Sequence, residues 1–376
     1  LIVRHFLSIL ALSISAFIAA GKGVDEIPVV QIMPRVDTAH PVVRAVLTAW
    51  LDSLDVWRRP IAMSGANDRH AVGGVVRDWF IQNERTVRSF PPTILRVEHE
   101  GDAWIVRTMF SMTDTVSGHI QPLGIVQAAF SDATGHWGVV SPLDRATKTW
   151  PREKVGMITY VHSPHHIMDH GRTGASVRFV EDVARATGQP LPKAITYYVA
   201  KDRDELCRLL GVEYHALPPS GLAFPKEGIV MTGLGSEWYP HELVHVVLAR
   251  FDDAHPVIRE GMATWLGGSL GVPFDTLVDR YVGEKQPDEI PSFVALFTDP
   301  DRSQDDVYIV GAALCKVVHD THGMEAVLRL LQARSTSDVM LLCSRYLHLD
   351  PSDQQESLVA VLHQAREQGT VIRTGR

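Results

Sequence analysis

Two histidines in this chain fall at a spacing that can do chemistry. In His241-Glu242-Leu243-Val244-His245 the imidazoles stand four residues apart. On a helix, residues i and i+4 share a face, so both rings can point at one metal ion. Glu242 lies beside the same point, where its carboxylate can take a proton from a water polarised by that ion. Leu243, Val244, Val247 and Leu248 fit the side of this helix that packs into a core. A third donor comes from the next apolar-periodic segment, VIREGMATWLGG (Val257–Gly268), which carries Glu260 among hydrophobic neighbours. An acid in such a place needs a partner, and a metal is a good one. His255, in the turn between the two segments, is its rival as third ligand. Two imidazoles and one carboxylate leave a fourth position for water, which separates a catalytic site from a structural one.

Other residues compete less well for a chemical role. MITYVHSPHHIMDHG (Met157–Gly171) holds His162, His165, His166 and His170, either as a second metal site or as a strand running into a polar loop. Three cysteines, Cys207, Cys315 and Cys343, include no CxxC pair, so thiolate zinc and thioredoxin-like chemistry are unsupported. Cys315, in GAALCKVV, reads as a core residue, and a Cys315–Cys343 disulfide is an open alternative. No spaced acid pair stands out for a glycosidase. Lys+Arg 36 against Asp+Glu 44 gives a net charge of -8, which does not suggest a nucleic-acid footprint.

Around these residues the chain divides. With 376 residues, 45% hydrophobic and 21% charged, it is unlike a disordered chain or a many-span membrane protein. Residues 1–20, LIVRHFLSILALSISAFIAA, have the layout of a signal peptide, with an uncleaved membrane anchor as the alternative. That predicts an exported, periplasmic or extracellular protein with no stable membrane insertion after cleavage. Residues 27–151 form a first block. The spacing predicts helices over Pro41–Trp57 and around His70 to Gln82, then hairpins turning at His99–Asp102 and Asp132–Gly135. This α+β block resembles the cone of nuclear-transport-factor-like domains. A second block, from about Ala175 to Leu217, reads helix–strand–helix. The strand Gly228–Gly233 follows, as the sheet edge beside a cleft. Helices over Asp305–Gly323 and Met324–Gln332 come later, and residues 351–376 are a helix and basic tail.

HELVH followed by REGMATWLGG resembles the HExxH plus EG-A-x-[WY] pattern of the gluzincin metallopeptidases, nearest the bacterial peptidase-MA-like branch. The motif pair covers Pro240 to Gly268; a looser likeness in element order runs from about Ala175 to Arg334. Leu248 and Phe251 stand where the metzincin pattern requires Gly and His, so that class does not fit. The resemblance implies an α+β, zincin-like domain over residues 175–350 with a helical C-terminal subdomain. It also implies Zn2+ on His241, His245 and Glu260, and hydrolysis of a peptide or protein substrate with Glu242 as general base. In similar proteins a tyrosine near the start of the 305–323 helix faces the zinc and stabilises an oxyanion. Tyr308 is the residue here, with ordinary helix packing as its other reading and His319 and His322 as lesser claimants. One departure matters: thermolysin-like relatives carry an acid four residues after the glutamate ligand, and this chain has Thr264. The partner of the zinc histidines must then be Asp252, Asp253 or a backbone carbonyl. The competing function is a zinc-stabilised binding module for a peptide or cell-envelope partner. Such a module has no use for Glu242.

Overall fold

A computed structural model of the chain describes residues 30–58, 90–114, 116–132, 137–299, 302–349 and 356–367. The segments read as a signal peptide and as a helix near residues 70–82 lie outside the described residues. Among those described, no helix is long and apolar enough to cross a membrane. The architecture is mixed α+β, with two sheets and a helical C-terminal stretch.

The chain forms two units, one running up to Trp150 and including Asp202–Pro219, the other made of Pro151–Lys201 and the residues from Ser220 on. In the first, a short strand β1 (Gln31–Ile32) precedes helix α1 (Pro41–Arg58). Strands β2 (Pro92–Glu100), β3 (Ala103–Thr113), β4 (Ile120–Asp132) and β5 (Trp137–Val140) form an antiparallel meander, with β1 parallel to β2. The expected first hairpin turns at Gly101, which holds φ 63. Alternation along β3 buries Val106, Thr108 and Phe110 on one face and Ala103 and Ile105 on the other. Helix α1 packs on this sheet through Trp50, whose Nε1 donates to Thr108 Oγ1 at 2.8 Å and whose ring meets Phe130 edge-on. A short helix α2 (Pro142–Thr147) ends the continuous part of this unit.

The second unit opens with β6 (Arg152–Val155) and β7 (Ile158–His162), followed by helix α3 (His170–Thr187). Gly188, left-handed at φ 61, closes α3, and the strand β8 (Ile195–Val199) follows. The chain then crosses to the first unit. Helix α4 (Arg203–Leu209) and strand β9 (Val212–His215) belong there, because β9 pairs antiparallel with the first half of β4. The helix–strand–helix block read from Ala175 to Leu217 is thus divided between units after Lys201. On its return the chain makes β10 (Gly221–Phe224) and β11 (Ile229–Thr232). The second sheet has the order β10-β11-β8-β7-β6, with β7, β8 and β11 parallel and the outer two strands antiparallel. Gly228–Gly233 is therefore not the sheet edge. The hairpin through Pro225–Glu227 lays β10 outside it.

Helices complete this unit: α5 (Pro240–Val247), α6 (Pro256–Gly267), α7 (Phe274–Glu284), α8 (Phe293–Thr298), α9 (Gly311–His322), α10 (Met324–Gln332), α11 (Thr336–Leu347) and α12 (Glu356–Glu367). The run Gly311–Val318 of α9 is buried throughout, including Lys316, whose Nζ donates to Asp320 Oδ2 at 2.6 Å. Cys315 lies fully in this core, and all three cysteines are free thiols, so the Cys315–Cys343 disulfide is not formed.

Candidate metal centre

Helix α5 is short because Pro240 starts it and the chain tightens into a 3-10 turn at Ala249–Phe251. Leu243, Val244, Val247 and Leu248 are buried as their spacing predicts. That leaves His241 and His245 on a shared face, with their Nε2 atoms 3.3 Å apart. Helix α6 runs beside α5 and brings Glu260 to the same point. Its Oε2 lies 3.3 Å from His241 Nε2 and 3.2 Å from His245 Nε2. The three atoms form a nearly equilateral triangle. Donors about 2.0–2.1 Å from a tetrahedral ion stand about 3.3–3.4 Å from each other, so the triangle has the size of one face of such a tetrahedron. Two imidazole nitrogens and one carboxylate oxygen are also a donor set that zinc accepts. A buried His241/His245/Glu260 cluster able to hold a divalent ion is therefore present, and among the described residues it is the only such group.

The supports of this triangle are specific. His241 Nδ1 donates to the carbonyl of Gly268 at 2.9 Å, which fixes the tautomer and turns the Nε2 lone pair toward the cluster. A backbone carbonyl thus fills the role left open by Thr264, which is buried with its hydroxyl unpartnered. Asp252 and Asp253 instead turn their carboxylates to Lys226. Gly268 is a glycine by necessity. Its φ of 72 and ψ of -165 suit glycine alone, and a Cβ there would meet the Val272 carbonyl oxygen at 2.2 Å. Arg259, adjacent to Glu260, donates from Nε and Nη2 to Glu260 Oε1 at 3.2 and 3.1 Å. Its Nη1 reaches the Asp252 carbonyl at 2.8 Å.

Charge is concentrated here. Burial works to raise the Glu260 carboxyl, but the imidazoles of His245 and His241 outweigh it and hold it well below the carboxylate range. For His241 burial lowers the ring, and the bond to Glu260 with the nearby Glu242 more than reverses that. Glu242 is itself buried, and burial raises its carboxyl above the usual value despite the two histidines.

Tyr308 lies over the cluster, its ring stacked on His241 with centroids 5.3 Å apart and planes at 23°. It belongs to a π-turn, Asp306–Val310, in place of the regular helix expected from Asp305. Asp306 anchors that turn to α7 by accepting from Tyr281 Oη at 2.5 Å and Lys285 Nζ at 2.7 Å. Burial, then the Glu260 charge, raises the phenol well above its ordinary value, so it stays a neutral hydroxyl.

The remaining candidates are elsewhere. His255 caps α6: its Nδ1 accepts from Val257 N at 3.3 Å, and its Nε2 lies 3.4 Å from Thr336 Oγ1. His319 pairs with Asp320 against the Trp265 ring, and His322 Nε2 donates to the Tyr346 carbonyl. In the 162–170 stretch no third ligand converges, and the strand-into-loop reading describes it. His162 turns Nδ1 to the Ser163 carbonyl, His165 is exposed and His170 faces Glu153. His166 instead meets Glu237 Oε1 at 2.6 Å, an atom that also accepts from Asp169 N at 2.8 Å. Sequence reasoning missed Glu237, which is fully buried in the loop before α5 and ties that loop to the histidine-rich one. Its only signal was an acid in a short, otherwise uncharged stretch, Leu234–Pro240. No protein-family model matches the chain, and no curated protein matches its sequence.

Proposed function

We propose that this chain is a zinc metallopeptidase of the gluzincin type, acting on a peptide or protein substrate. The observation that carries the reading is the tetrahedral-face triangle of His241, His245 and Glu260 with a buried glutamate, Glu242, beside it. A divalent ion held there supplies a Lewis acid that acidifies water and polarises a carbonyl. Glu242 accepts the proton as the water oxygen bonds to the carbonyl carbon, then delivers it to the amine nitrogen as the C–N bond breaks. In this reading Tyr308, whose ring stacks on His241, donates its O–H to the developing oxyanion. The outer side of β10 offers an extended peptide a row of backbone partners beside α5.

Two imidazole nitrogens and one carboxylate oxygen, with a fourth position left for water, support zinc as the ion in this reading. Elemental analysis of the protein purified without added metal should give one zinc per chain, and a mixed peptide library should be cleaved in a chelator-sensitive way. Folded protein that takes up no zinc would remove the reading. Zinc without cleavage of any library would favour a metal-stabilised binding module.

A further inference from the structure

Glu260 offers two oxygens, and only Oε2 belongs to the donor triangle. Oε1 is occupied: the guanidinium of Arg259 reaches it with two N–H groups at 3.2 and 3.1 Å. The third arm of the same guanidinium, Nη1, is pinned to the Asp252 carbonyl at 2.8 Å, in the turn that joins α5 to α6. The fork cannot swing away from Oε1 without breaking that bond. A carboxylate left to itself next to a divalent ion can bind through both oxygens. Here the second one would have to give up two charge-assisted hydrogen bonds to do so.

We propose that Arg259 is a positioning residue that confines Glu260 to one-oxygen coordination and thereby keeps the fourth vertex of the site open to water. This rests on the metal reading of the triangle. Arg259 also sets the carboxylate plane relative to both helices, since its anchor point lies between them in sequence. A lysine is a poor substitute, because one ammonium does not reproduce a planar fork with three fixed contacts.

The test uses the full chain loaded with cobalt(II), whose visible absorption is most intense in four-coordinate sites and falls when a fifth ligand is added. Wild type should show the intense spectrum. Arg259→Met, at one cobalt per chain, should lose most of that intensity as Oε1 joins the ion, and Arg259→Lys should fall between the two. X-ray absorption on the zinc forms should give one more light-atom ligand in Arg259→Met than in wild type. A folded Arg259→Met with the wild-type spectrum would overturn the proposal. If Arg259→Met does not fold, Arg259→Lys decides: a weakened spectrum supports the assignment and an unchanged one refutes it. Wild type that takes up neither metal would overturn the metal reading itself, a result told apart by the absence of any cobalt band before a variant is made.

Discussion

Glu242→Gln keeps side-chain size and hydrogen bonding but cannot accept a proton at neutral pH. Zinc content should stay at one per chain while turnover falls by about 10²–10⁴-fold, measured side by side on the same peptides. Loss of zinc together with activity would make Glu242 a ligand. His255 makes a different prediction. Burial, and then the charge of Arg302, lowers its ring to about 4. Because Nδ1 accepts from Val257 N, a proton there breaks the cap. The folded value lies below the free value of 6.5, so protons favour the unfolded chain. This group's contribution is complete above pH ~6.5 and drains as pH falls from there toward about 4. His255→Asn keeps a capping oxygen and removes the titration. Its urea midpoint should fall less than the wild type's over that window, with zinc content unchanged. Equal pH slopes would show that His255 is not held neutral.

At the scale of elements, the site depends on how closely α6 approaches the start of α9. A Cβ on Gly261 would stand 2.3 Å from the backbone carbon of Gly311, and one on Gly311 would stand 2.3 Å from the Val257 carbonyl oxygen. Gly261→Ala must therefore push two helices apart, at a cost of at least ~1–3 kcal/mol. Since Glu260 is its neighbour, zinc affinity should drop with stability; denaturation and a chelator competition would show both, and a variant that matches wild type in each would contradict this contact. The helices themselves were legible in the sequence, because the apolar spacing of 241–251 and 257–268 is strong. The π-turn at Tyr308 was not, since one extra residue in a helical turn leaves no mark on composition. Arg259 was not legible for a related reason: on a helix it reads as an ordinary surface charge until the carboxylate beside it is given a direction. Of the options for orienting His241, the backbone carbonyl proved right, and no side-chain pattern could have singled out Gly268.

For the whole molecule, ligands drawn from two helices make metal binding part of folding. An ion that binds only the folded unit stabilises it by about 2.7 kcal/mol at a free concentration a hundred times its dissociation constant. Chelation should lower the melting temperature of the unit carrying α5 and α6, and Glu260→Ala should abolish that dependence. A melting curve indifferent to zinc in the wild type would argue against the centre. The two metal helices were readable from apolar periodicity and motif spacing. The passage of Asp202–Pro219 into the other unit was not, because strand pairing between residues 124–126 and 212–215 leaves no local trace.

That passage has a consequence for how the protein is made. The chain crosses between its units at residues 150, 201 and 219. As the polypeptide leaves the ribosome, the first sheet stays incomplete along half of β4 until β9 has emerged. By then β6, β7 and β8 of the second sheet are already outside and still lack β10 and β11. Synthesis therefore holds two unfinished sheets in the open together, each with an uncovered strand edge of the kind that recruits wrong partners. A nascent chain exposed only as far as about residue 200 would be the form most in need of a chaperone.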